Sequence, residues 1–176
     1  MDENPIDLKV YDEHAKLVGR VTMAWAEIHA VLYRIFWGVS GLEREMAEAI
    51  FFSLKSDSAQ RDLVIAALSE RFKAEEDKEV RKSATELIGQ VNNYSNQRNA
   101  AAHSMWAILH PPTTIIPDPH ISKQRNLKED FVLQFTDLEK NLRTLFTKLF
   151  AFDQTLNDFV ARAAERLPQQ TKSRHI

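Results

Sequence analysis

Hydrophobic positions recur every three or four residues through most of this chain, and the places where the rhythm fails carry the most information. Val18, Val21, Trp25, Ile28, Leu32, Ile35 and Val39 alternate spacings of three and four, and Tyr11 and His14 continue the row backward. Such a row is the seam of a helix packed nearly parallel to a partner, and it predicts a long helix over 7–39. Ser40-Gly41-Leu42-Glu43 reads as a stop and a restart. Gly41 breaks the helix, and Ser40 with Glu43 has capping-box spacing. A shorter helix is expected over 42–54, with Leu42, Met46, Ile50 and Leu54 on its inner face. Ser56-Asp57-Ser58 is the next cap, and a third helix over 59–73 carries Val64, Leu68 and Phe72. After a solvated turn at 74–77, a fourth helix is expected to run from 78 to 109.

The rhythm stops at His110. Pro111, Pro112, Pro117 and Pro119 follow within nine residues, and proline removes a donor and clashes with the preceding helical turn. Residues 111–135 therefore form a Pro-rich insertion. Within it, Ile121 to Lys123 and Phe131 to Phe135 fit either a short hairpin or an ordered loop. Thr136-Asp137-Leu138-Glu139 has the spacing of a capping box. The helix behind it extends to Arg166, with Leu138, Leu142, Leu145, Leu149, Phe152, Leu156, Phe159 and Ala163 in a second seam. Two matching seams are natural partners inside a bundle. The expected fold is all-α: an up-down bundle of four to five main helices with a small Pro-rich insertion before the last one. Residues 1–167 read as a single domain and 168–176 as a frayed tail.

Composition agrees and narrows the chemistry. With 176 residues the chain can bury a proper core, and 4 glycines and 6 prolines suit long helices. A net charge of −2 lacks the global basic field of a sequence-specific DNA reader. The absence of cysteine removes disulfides, zinc-cysteine sites and thiol catalysis. The acidic start lacks an apolar signal core, and no run approaches the roughly 18 apolar residues of a membrane span. A cytoplasmic protein without a membrane anchor is the simplest expectation. No histidine set has metal-ligand spacing, so neither a metal nor a cofactor is expected. Phosphate-loop glycines and Gly-x-Ser-x-Gly are also absent.

One stretch of the fourth helix has the wrong composition for a plain helix interior. Residues 92–106 hold four asparagines, Arg98 and His103, with Ala100-Ala101-Ala102 between the charged pair. Asparagine amides compete for backbone hydrogen bonds, and several in one helix break a local rule. On a helix turning about 100° per residue, Asn92, Asn96, Asn99 and His103 stack on one face, with Thr85 before them and Trp106 after. Val80, Ala84, Leu87, Val91, Ala101, Met105 and Leu109 cluster on roughly the opposite side. Arg98 lies roughly 140° round from His103, closer to the apolar face, where it needs an anionic partner or must reach out along its stem. Glu27 on the first helix is a candidate partner. Alternatively, 92–97 is a loop and Asn99 caps a separate helix.

Arg98-Asn99-Ala100-Ala101-Ala102-His103 resembles the signature of the HEPN superfamily: arginine, a polar residue, a short spacer, histidine, with Trp106 shortly after. The resemblance covers roughly residues 11–159, and outside the motif it rests on architecture. It implies a small helical bundle with the motif late in a long helix. It further implies a metal-independent endoribonuclease, often a toxin or antiphage effector, working as a homodimer whose two motifs share a cleft. His103 would be the general acid or base, Arg98 would hold the phosphate and Asn99 would orient one of them. Asn92, Asn96, Glu27 and Trp106 would support the site. The implied partners are RNA as substrate, a second copy of the chain, and an antitoxin or regulatory protein. Some HEPN domains keep the fold as binding or dimerisation modules without catalysis, and that alternative stays open.

Overall fold

The computed structural model describes residues 8–104, 106–109, 114–117 and 131–166. Among the described residues five α-helices dominate: α1 (Leu8–Ser40), α2 (Arg44–Ser53), α3 (Asp57–Arg71), α4 (Lys78–His103) and α5 (Phe131–Arg166). A single 3-10 turn at Glu75–Asp77 joins α3 to α4. One two-stranded antiparallel ribbon, β1 (Trp106–Leu109) with β2 (Thr114–Pro117), follows α4. The fold is an all-α helical bundle with this small ribbon inserted before the last helix. It comprises two compact units: 1–28 with 90–146, and 29–89 with 147–176. The helices α1, α4 and α5 each contribute a segment to both.

The α1 seam forms the core much as its spacing requires. Val21, Trp25, Ile28, Leu32, Ile35 and Val39 are all buried, as is His14, whereas Val18 is half-buried and Tyr11 exposed. Gly41 has φ +68°, a left-handed conformation that glycine adopts without steric cost and that ends α1. The expected capping box there does not form. Ser40 is the last residue of α1 and its hydroxyl accepts from the Leu42 N–H at 3.3 Å. Glu43 caps α2 with no side-chain hydrogen bond.

The inner face of α2 is also rotated from expectation. Met46 and Ile50 are exposed, while Ala47 and Phe51 are buried. One residue is about 100° of helix, so the two choices differ by a quarter turn. The aromatic ring decides. Phe51 has ring centroids of Tyr33, Phe36 and Phe52 within 5.6, 6.0 and 5.1 Å, and its large apolar area outweighs that of Met46. In α3, Ser56 caps as expected by accepting from the Ala59 N–H at 3.1 Å, and Val64, Leu68 and Phe72 are buried.

In the second unit, α1 and α5 are tied by an ion pair. Arg34 Nη2 lies 2.7 Å from Asp153 Oδ2, and the guanidinium sits 5.1 Å from the centre of the Phe150 ring. Asp153 is 1% exposed. Burial pushes its carboxyl above the ordinary value, while Arg34 and a hydrogen bond from Asn157 pull it back. In the same unit, Gln60 donates to the carbonyls of Phe51 and Leu54 at 3.3 and 3.5 Å, and its Oε1 lies 2.9 Å from His29 Nδ1. With the amide nitrogen turned to two carbonyls, the oxygen is left to accept from His29 Nδ1.

Two boundaries differ from the sequence reading. The helix α4 ends at His103, not Leu109, and residues 106–109 are β1. Pro111 and Pro112 would clash with the carbonyls of Ala107 and Ile108 in a continued helix, and pairing with the β-branched Ile115 and Ile116 of β2 is the alternative. The strand pair thus lies at 106–109 and 114–117. Phe131 to Phe135 is instead the first turn of α5. The Thr136/Glu139 capping box is therefore interior to α5, where Glu139 accepts from Arg143 at 3.0 Å and from Arg20 at 2.9 Å. In the α5 seam, Leu138, Leu142, Leu145, Leu149 and Leu156 are buried, and Phe152 and Phe159 half-buried. The strand proposed at 121–123 and the tail at 168–176 lie outside the described residues.

Candidate functional site at the end of helix α4

The helix α4 is unbroken from Lys78 to His103, which removes the loop reading of 92–97 and of Asn99 as a cap. Helix-competent residues on the inward side make this affordable: Ala84, Ile88, Val91, Ala100 and Ala101 are buried. The stripe facing away from this core, Asn92, Asn96, Asn99 and His103, is exposed throughout, and so is Thr85. His103 is the final residue of the helix, and the next N–H, of Ser104, still closes on the Ala100 carbonyl at 3.2 Å.

Arg98 turns the other way and is half-buried. Its guanidinium carbon lies 5.2 Å from the centre of the Trp25 ring, and Nη1 donates to Asn99 Oδ1 at 2.8 Å. Trp25 is 2% exposed on the α1 seam. A half-exposed guanidinium over an indole gains about 1 kcal/mol, and the Asn99 bond adds a polar partner on one side of the fork. Glu27 sits two residues beyond Trp25, about 200° round the helix, and is exposed. Among the described residues no ion pair joins Glu27 to Arg98, and no hydrogen bond joins Arg98 to His103. One chain thus brings Arg98, Asn99 and Trp25 together and leaves His103 on a separate, solvated face.

Trp106 does not continue the α4 stripe, because the helix has ended. It stands on β1 in an aromatic cluster: its ring centroid is 4.2 Å from His14 and 5.7 Å from Phe135. His14 is 8% exposed, and burial lowers its pKa below the ordinary histidine value, since the charged imidazolium is poorly solvated there. Through these rings Trp106 packs β1 against α1 and α5.

A groove of about 250 Å³ lies in the same unit, lined by Tyr94 and Gln97 of α4 and by Gln134, Phe135, Asp137, Leu138 and Asn141 of α5. Neither Trp25 nor this groove is legible from single-helix periodicity, which pairs no residue of one helix with a residue of another.

No family model, curated protein or solved structure matches the chain. Among the described residues no helix is long and apolar enough to cross a membrane.

Proposed function

We propose that this chain is a metal-independent endoribonuclease of the HEPN type, active in the cytoplasm as a homodimer, with a toxin or antiphage role under the control of an antitoxin or regulatory protein. The observation that supports this most is the state of the two motif residues at the end of α4. Arg98 rests on Trp25 and donates to Asn99, and His103 stands exposed at the last helical position. On one straight helix the two diverge by roughly 140°. A second chain related by a two-fold axis brings His103 of one copy toward Arg98 of the other, so the reading requires the dimer.

The chemistry follows from the residue types. A neutral imidazole of His103 takes the proton from an RNA 2′-hydroxyl, whose oxygen attacks the adjacent phosphorus. The P–O5′ bond breaks, and an imidazolium, its own or that of the second copy, protonates the leaving 5′-oxygen. The products are a 2′,3′-cyclic phosphate and a 5′-hydroxyl. Arg98 stays protonated throughout and stabilises the charge gathered on the phosphorane oxygens. Asn99 is a polar partner of the guanidinium, and Asn92 and Asn96 offer amides along the path of the strand.

The test is RNA cleavage in EDTA. Cleavage that persists in EDTA, yields cyclic-phosphate ends and falls at least about 100-fold in His103→Ala supports the reading, since acid–base catalysis contributes on that order. A monomeric mass at micromolar concentration would remove the shared site. One observation favours a second reading, a non-catalytic helical module for protein or nucleotide binding and dimerisation: the Arg98 guanidinium already has an indole face and an amide oxygen as partners. Intact RNA under all conditions, with dimerisation that depends on Arg98, supports that module.

A further inference from the structure

The groove between α4 and α5 in the first unit has a construction that the proposed cleavage chemistry does not use. Its floor is apolar: Phe135 and Leu138 are 2% and 1% exposed. Its rim is polar: Gln97, Gln134, Asp137 and Asn141 are exposed, and Tyr94 is half-buried. None of these five rim side chains makes a hydrogen bond or ion pair with another described residue. Three amide side chains, a phenol and a carboxylate are thus among the residues that line a groove of about 250 Å³, just below the roughly 300 Å³ at which drug-sized ligand sites begin. An apolar floor with a few polar groups at the rim is the usual make-up of a small-molecule site.

The rim chemistry selects among flat ligands. A carboxylate only accepts, and its two oxygens suit two parallel N–H donors. Of the common nucleobases, guanine alone offers two adjacent donors on one edge, N1–H and the 2-amino group. Its O6 and N7 accept, and an amide nitrogen of Gln97, Gln134 or Asn141 donates to such atoms. Tyr94 is the aromatic residue at the half-buried part of the lining, and stacking on such a ring is worth a large part of base affinity in single-strand binding sites. Adenine and cytosine present one amino group to the carboxylate, and uracil presents one imide N–H flanked by carbonyls that repel it.

We infer that this groove is a guanine-binding site, with Asp137 reading the N1–H and 2-amino edge and Tyr94 stacking on the base. If the base belongs to RNA, the site selects guanosine within the substrate of the proposed nuclease, and in that respect it rests on that reading. Base binding itself does not.

The experiment is an NMR titration of the full chain with guanosine, inosine, adenosine and cytidine 5′-monophosphates, followed by a short single-stranded RNA with one guanosine or one inosine. Guanosine monophosphate should shift resonances of Tyr94, Gln97 and Asn141 and bind about tenfold or more tightly than the adenosine and cytidine nucleotides. Inosine lacks the 2-amino group and should bind several-fold more weakly. Asp137→Asn should abolish the preference for guanosine, and Tyr94→Leu should weaken every nucleotide. Both side chains are outside the core, so circular dichroism should show unchanged helix content. Tighter binding of the guanosine-containing RNA than of the free nucleotide assigns the site to RNA, and equal binding assigns it to free guanine nucleotides. Equal binding of all nucleotides, or none at millimolar concentration, overturns the proposal even if RNA is cleaved. Conversely, guanosine binding that depends on Asp137 without any cleavage keeps the groove and removes the nuclease.

Discussion

Replacing Arg34 with methionine isolates the most deeply buried charge among the described residues. Methionine keeps an apolar stem over Phe150 but leaves Asp153, 1% exposed, without the cation 2.7 Å away. Two unit charges about 4 Å apart interact by about 4 kcal/mol at an effective dielectric of 20 and about 1 kcal/mol in water. Arg34 is 41% exposed on its side chain, so solvent screens the pair and the value falls between these limits. Removing one partner of a fully buried pair costs about 3–5 kcal/mol. Discounted for the exposed guanidinium, the expected loss at pH 7 is about 2–3 kcal/mol, a drop of about 5–10 °C in Tm for a chain of this size. The pH dependence has a definite sign. Burial raises the Asp153 carboxyl above 3.8. Between that value and the folded one, the native chain holds a proton that the unfolded chain has lost, so this group's contribution falls as pH rises. Without Arg34 the folded value moves higher and the window widens. The variant should therefore recover part of its deficit between pH 7 and pH 4.5, measured by urea unfolding followed by circular dichroism. A deficit below about 0.5 kcal/mol, or one identical at the two pH values, would refute the reasoning.

The surroundings of His14 and His29 can be tested in the same way. His14 is held neutral by burial against Trp106, so its folded pKa lies below 6.5. The stability tied to that neutrality is fully present above 6.5 and is lost as pH falls toward the folded value. His14→Phe should flatten the acid side of the stability profile, and an unchanged slope between pH 7 and 5 would contradict the assignment. Gln60→Ala strips one donor from the Phe51 and Leu54 carbonyls and the acceptor from His29. It should cost about 1–3 kcal/mol, read by the midpoint of urea unfolding, and a neutral result would show that water replaces the amide freely.

The long seams were legible because repetition averages out local noise: seven α1 positions and eight of α5 give one consistent face. Short elements gave no such averaging. In α2, Met46/Ile50 and Ala47/Phe51 are both four apart, and only Phe51 meeting three other rings chooses between them. Phe131, Leu133 and Phe135 fit a period of two, yet the segment is helical, and Phe135, Leu138 and Leu142 share its buried seam. The prolines at 111 and 112 announced an end to α4, but their backward reach to Ala107 and Ile108 had to be counted to locate it. At the candidate site, the wheel correctly set Arg98 apart from the asparagine stripe. It could not supply Trp25, because the partner lies on another helix 73 positions away in the sequence.

The seating of Arg98 on Trp25 also makes the site visible to light. Indole emission responds to charge held over the ring and to solvent, and Trp25, at 2% exposure, is shielded from water. A phosphate that draws the guanidinium off the indole would change the field at that ring alone. Trp37, beside Arg44, and Trp106, beside His14, sit in other surroundings. The protein thus contains its own optical gauge for the engagement of Arg98. In a variant with Trp37 and Trp106 replaced by phenylalanine, the remaining emission would follow the arginine without any added label.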